Sequence, residues 1–265
     1  MSMILGKHLT LPEQEMGHFE MNTETYWNNR AETYNNLNWV KDKTSLGLTL
    51  NAMQLSKTDV VLDVGTGTGV VATALSPLVD KVIALDASRG MLPRATACPN
   101  IHYVHWDICE SLFATAVFDK VVARQVFHHI PKGYVEEVVA TCNNVLKSGG
   151  ILTVVEPVCP SDGIMGAYKA IFELKDGRNV LTAGYIVELM DRVGFTDVKT
   201  TTFTIENFSV KNWLDNNALD KEIQDRIFEM HVTASEEFKK AYNMHVVNGD
   251  CLIDTKNVIV TGRKI

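Results

Sequence analysis

The stretch Val60-Val-Leu-Asp-Val-Gly-Thr-Gly-Thr-Gly-Val70 leaves this chain few folds to choose from. It opens as a run of apolar, mostly β-branched residues, the pattern of a strand buried on both faces. Gly65, Gly67 and Gly69 then let the backbone turn sharply and come close to a ligand, because no Cβ stands in the way. Behind them Val70, Val71, Ala74, Leu75 and Leu78 recur near helical spacing. The free N–H groups of that helix's first turn face whatever the glycine turn holds. Strand, glycine turn and helix in this order predict a βαβ unit in a mainly parallel sheet.

The rest of the chain repeats the alternation. Further strands are expected at Lys81–Leu85, Ile101–His105, Phe118–Ala123, Ile151–Val155, Thr196–Ile205 and Asn257–Thr261, seven in all. A helix is expected around Ser88–Ala97. A clearer one carries Val135, Val138, Val139, Cys142, Val145 and Leu146 on one face and stops at Gly149-Gly150. Another runs from a Thr182 cap to Gly194. Three segments fall outside the alternation: an N-terminal helical arm, 1–55; a short insert near 160–180; and a helical insert, 207–250. Neither insert is long enough for a core of its own. The expected organisation is one domain over 1–265, with a sheet-based core at 56–206 and a last strand at 251–265. In the late insert, Trp213, Leu214, Phe228, Met230, His231, Phe238 and Tyr242 read as the interior of a small helical cap.

Charge and cysteine usage narrow the chemistry. With 32 acidic against 25 basic side chains, the net charge of −7 argues against a broad nucleic-acid or anionic-membrane surface. Five scattered cysteines without a C-x-x-C pair give neither a disulfide framework nor a structural zinc site. Met1–Thr10 lacks the basic and apolar regions of a signal peptide, and no apolar run is long enough to span a bilayer. A cytoplasmic protein without a metal is expected.

The glycine spacing then distinguishes between cofactors. The dinucleotide fingerprint G-x-G-x-x-G/A needs a small third residue where Val70 stands. The run fits D-x-G-x-G-x-G, with Asp63 leading, and here the chain resembles the class I S-adenosylmethionine-dependent methyltransferases. The resemblance covers about residues 22–200 and the final strand. It implies a Rossmann-like α/β fold: a seven-stranded, mainly parallel sheet with its last pair antiparallel, helices on both faces, a helical arm and helical cap inserts.

It also implies roles. Gly65, Gly67 and Gly69 would hold the methionine part of the cofactor, with Asp63 reaching its amino group through water. Asp86, with Ala87 beside it, would take both ribose hydroxyls, as one carboxylate can. Asp107 and Ile108 would meet the adenine. Arg124 and Gln125 would lie at the methionine end. The arm segment Tyr26-Trp-Asn-Asn-Arg-Ala-Glu-Thr-Tyr34 resembles the W-x-x-R-A-x-x-Y lid of this family, with Tyr34 near the cofactor.

The segment Phe118–Ile130, ending in His-His-Ile, resembles the quinone-biosynthesis-type small-molecule methyltransferases. It would put His128 and His129 on the substrate side, where a neutral imidazole can take a proton. Glu156, at the end of the fifth strand, is the third candidate base. No N/D-P-P-Y/F and no Pro-Cys follow the fourth strand, which counts against nucleic-acid methylation. A small-molecule acceptor methylated by direct displacement is expected, with a homodimer allowed. The alternatives are an NAD-dependent oxidoreductase and a catalytically silent S-adenosylmethionine-binding protein.

Overall fold

A computed structural model describes residues 26–110 and 114–265; the first 25 residues of the expected arm lie outside them. One sheet organises the chain. Its strands are β1 (Val60–Val64), β2 (Lys81–Asp86), β3 (Ile101–His105), β4 (Phe118–Arg124), β5 (Leu146–Pro157), β6 (Phe195–Ser209), β7 (His245–Val247) and β8 (Asp250–Lys264). They run in the order β3-β2-β1-β4-β5-β8-β6, with the short β7 paired to β8. The count is therefore eight rather than seven; β7 is a three-residue ribbon that its polar surroundings hid. β1 to β5 pair in parallel. β8 is antiparallel to both β5 and β6.

The strand order reverses between β1 and β4, which opens a crevice at their carboxyl ends. Period-two alternation explains why that part of the sheet is buried on both faces. Leu62 and Val64 on β1, with Val121 and Ala123 on β4, enter one apolar cluster. Val61 and Val122 enter the other. The first cluster packs under α3 (Val135–Val145) and α5 (Ala183–Val193); the second takes α2 (Val70–Leu75) and packs Leu46 and Leu50 of α1 (Lys43–Ala52) against it. α5 is bounded as its sequence dictates. The Thr182 hydroxyl accepts from Tyr185 N, and Gly194 closes the helix at φ 94°.

Two elements differ from expectation. In place of a helix over Ser88–Ala97 there is one 3-10 turn, Leu92–Arg94. Pro93 has no N–H to give, and Asn28 Oδ1 accepts from Gly90 N at 2.8 Å, tying that loop to the arm. The helix over 135–145 stops at Val145, not at Gly149-Gly150. Leu146 already pairs with Phe118, so those glycines lie inside an irregular start to β5.

The inserts share an interior. α4 (Met165–Lys175), α6 (Val210–Asp215), α7 (Lys221–Val232) and α8 (Glu236–Ala241) close on a third cluster with Leu37 and Val40 of the arm and Cys251 and Ile253 of β8. Too short singly, they form a core together. No helix among the described residues is long and apolar enough to cross a membrane.

Candidate active site

The carboxyl ends of β1, β2 and β4 border a cavity of about 610 Å³. Gly65 and Gly67 form its floor, at φ 63° and 56°. A Cβ on Gly65 would stand 2.4 Å from Val126 Cγ2, so this glycine is fixed by the close passage of the segment after β4. A Cβ on Gly67 would meet only the Tyr34 ring, at 3.8 Å. That floor faces open space.

Asp86 ends β2 at the cavity wall. Its carboxylate accepts from Gly67 N at 2.7 Å and Ser88 N at 2.8 Å. Burial outweighs these donors and raises its pKa above the usual carboxylate value. Ala87, Asp107, Ile108 and Arg124 line the same space. Arg124 is 9% exposed, and its buried Nε has no partner among the described residues. A cavity with an open glycine floor, a carboxylate on one wall and a guanidinium group at another fits a nucleoside that also bears a carboxylate.

Asp63 and Gly69 do not line this cavity. Asp63 is 1% exposed beneath the loop, where it accepts from the Thr66 hydroxyl at 2.7 Å. Gly69 starts α2 with φ 77°, and a Cβ there would strike the Tyr103 hydroxyl at 2.6 Å. Burial pushes the Asp63 carboxyl up to about 7. Between pH 4 and 7 the unfolded chain has lost a proton that the folded chain keeps. Stability attributable to Asp63 therefore falls as pH rises through that window, by about 1.4 kcal/mol per unit. Asp63→Asn should gain roughly 2–3 kcal/mol on the parent between pH 5 and 8, read from urea midpoints at both values. Parallel pH profiles would refute the assignment.

The segment after β4 is held by polar side chains of β5 and β8. Gln125 sits at φ 63°, unusual for a residue with a side chain, and its amide donates to Asn257 Oδ1 at 3.1 Å. Glu156, fully buried on β5, accepts at Oε1 from Val126 N at 2.9 Å and Phe127 N at 2.7 Å. Its Oε2 contacts His128 Nδ1. Asn179, from the short insert, donates to the His128 carbonyl from the other side at 2.9 Å. Burial, then the neighbouring His129, push the His128 imidazole down to about 3. Burial also drives His129 well below its usual value. Both rings are neutral near pH 7, and their centroids lie 4.0 Å apart.

A second, narrower cavity of about 90 Å³ lies under the cap. Its wall includes His128, His129, Arg30 and Arg178, and its aromatic lining includes Trp39, Tyr168, Phe172, Trp213 and Tyr242. Trp27, Tyr34, Gln125 and His129 line both cavities and so form the wall between them. Trp27 meets His129 edge-on at 4.7 Å. Glu156 lines neither cavity.

Of the cap residues, Trp213, His231 and Tyr242 reach this second cavity, whereas Leu214 and Phe238 stay in the interior. Sequence reading passed over Arg178, Asn179 and Trp39. Trp39 lies in the arm and Arg178 and Asn179 in the short insert, where no periodicity marks them. Among the described residues no group of His, Cys, Asp and Glu is placed to hold a metal.

Residues 61–150 match the family model of a methyltransferase domain. The chain is 28% identical over 155 residues to the uncharacterized methyltransferase YcgJ of Bacillus subtilis, covering 56% of this chain and 60% of that protein. It is 35% identical over 115 residues to an uncharacterized methyltransferase of Mycobacterium tuberculosis, covering 42% and 57%. The chain thus spans about three fifths of the length of these relatives. The crystal structure of YcgJ superposes with a TM-score of 0.74 at 20% identity, over 83% of this chain and 98% of that one. The shared architecture is the Rossmann-like methyltransferase fold.

Proposed function

We propose that this chain, with its methyltransferase domain at 61–150, methylates a small-molecule acceptor by direct displacement. S-adenosylmethionine is the cofactor of such a domain, and the residues around the larger cavity fit it. The observation that carries the reading is the common wall. One cavity suited to a nucleoside and one narrower, aromatic-lined cavity meet at four side chains, Trp27, Tyr34, Gln125 and His129.

Gly65 and Gly67 would take the methionine part against backbone, with its carboxylate answering the Arg124 guanidinium. Asp86 would hold the ribose hydroxyls, and Asp107 and Ile108 the adenine. When bound, the cofactor supplies a methyl group already activated on a sulfonium. What remains for the protein is alignment, which can supply up to roughly 7–11 kcal/mol. Trp27 and Tyr34 close the junction and exclude water from it. Where the acceptor must lose a proton, His128 is the base we propose, the Glu156 carboxylate working against the burial that lowers the imidazole's basicity. Glu156 holds Nδ1–H of that ring, leaves the Nε2 lone pair available and steadies the imidazolium that forms. His129, at the junction, orients the acceptor. Asp63 and Gly69 build the turn from beneath, and Glu156 acts through His128.

Calorimetric titration with S-adenosylhomocysteine tests the reading. Binding is expected, and Asp86→Ala should weaken it by about 10- to 100-fold, the worth of charge-assisted hydrogen bonds. Binding of NAD in place of S-adenosylhomocysteine would overturn the proposal, and unchanged affinity in Asp86→Ala would remove that residue from the ribose role.

A further inference from the structure

A guanidinium taken out of water without a counter-charge is costly, so buried arginines are normally paired. Arg30 is not. It is 2% exposed; its Nη1 donates to the Tyr26 hydroxyl at 3.2 Å, and its Nε has no partner among the described residues. The rings of Tyr26, Trp27 and Tyr34 surround its guanidinium carbon at 5.7, 4.9 and 5.3 Å. They offer π-faces but no formal charge.

The carboxylate linked to this group through Lys175 and the Tyr26 hydroxyl, Asp176, is already committed. Arg178 clamps it through Nε at 2.9 Å and Nη2 at 2.7 Å, and the fully buried Lys175 ammonium contacts it as well. Lys175 also donates to the Tyr26 hydroxyl at 3.1 Å, the same oxygen that Arg30 uses. Burial alone would raise the Asp176 pKa, yet Arg178 and Lys175 hold it well below the carboxylate range. Three basic side chains therefore share one acid. Counting the two guanidiniums alone, Arg178 takes up the Asp176 charge, so among the described residues the charge on Arg30 is unmatched.

Arg30 faces the cap cavity and not the larger one, where Arg124 stands. Among the described residues no Asp or Glu lines the cap cavity; its other cations are Arg178, bound to Asp176, and Lys256, and Trp39, Phe172 and Trp213 give it aromatic surface, the last two set edge to face at 67°. We propose that the acceptor is a small aromatic carboxylate, its ring among these aromatic side chains and its anionic group paired with Arg30. The word acceptor rests on the methyl-transfer reading; the anion site does not.

The test uses the full chain, with tryptophan fluorescence as the readout and 4-hydroxyphenylacetate and 4-hydroxyphenylacetamide as a matched pair. The acid is expected to bind the parent about tenfold more tightly than the amide. Arg30→Gln should abolish that preference and leave amide binding within about twofold. If Arg30→Gln does not fold, Arg30→Lys is read in its place. It keeps the charge without the planar fork, so it should retain the acid preference in weakened form. Equal affinities in the parent, a preference that survives Arg30→Gln, a preference unaltered in Arg30→Lys, or binding of neither probe would overturn the proposal. A second pair identifies the anion. If Arg30→Gln weakens S-adenosylhomocysteine but spares 5′-methylthioadenosine, which lacks the amino-acid part, Arg30 serves the cofactor and the proposal fails. Conversely, an acid preference in a chain that binds no S-adenosylhomocysteine would sink the methyl-transfer reading and leave the anion site standing.

Discussion

Glu156→Gln is expected to leave the protein folded and to lower kcat by about 10²–10⁴-fold with little change in KM. The amide keeps one acceptor oxygen for Val126 N and Phe127 N, so the turn after β4 survives. Opposite His128 Nδ1, however, it places an N–H where a carboxylate oxygen stood. The imidazole must then accept at Nδ1 and carry its proton on Nε2, the nitrogen that should receive one. Glu156→Ala is the contrasting case. It strands two buried N–H donors and leaves His128 unpaired, and removing one partner of such a buried set costs about 3–5 kcal/mol. The pair separates positioning from scaffolding, with kcat read on Glu156→Gln and the unfolding midpoint on Glu156→Ala. A Glu156→Gln enzyme with full kcat would exclude His128 as the base.

Gly65→Ala should be the most damaging single methyl group that can be added to the site. At φ 63° a Cβ costs about 1–2 kcal/mol in backbone strain alone. The added atom would also lie 2.4 Å from Val126 Cγ2 and 3.0 Å from Cγ1. Relieving that contact means displacing the segment that carries His128, at about 1–3 kcal/mol for overpacking. A total loss of about 2–5 kcal/mol is expected in urea unfolding, with weaker S-adenosylhomocysteine binding in calorimetry. Val126→Ala in the same chain should recover the overpacking part and not the strain. No recovery in the double variant would show that the turn, not the contact, sets the cost.

The parts of this molecule that could be read from the sequence are those whose physics is local. β1, the glycine turn and α2 follow from the sixteen consecutive residues Val60–Leu75. α5 follows from its apolar face, the Thr182 cap and Gly194. The Ser88–Ala97 stretch misled because Asn28, some 60 residues earlier, ties it down where Pro93 already weakens it. Glu156 was legible as a carboxylate near the strand ends. Its bonds to Val126, Phe127 and His128 were not, because they exist only once β4 and β5 pair. Asp63 sits in a recognisable motif, yet its burial under Thr66 belongs to the fold. The cap cavity was least legible of all. Its wall draws single residues from the arm, both inserts and β8, and no periodicity marks a residue that faces a void.

One long strand joins the two halves of the molecule. β8 pairs with β5 between Asn257 and Arg263, inside the sheet, and carries Cys251 and Ile253 into the interior of the cap. β6 accompanies it through Leu252–Lys264. A hinge between sheet and cap would have to break that ladder, so the two behave as a single cooperative unit and not as jaws. Trp27, Arg30 and Tyr34 of the arm line the cap cavity from outside that ladder, and the arm is tied to Asn217 and Gly90 through Tyr26 and Asn28.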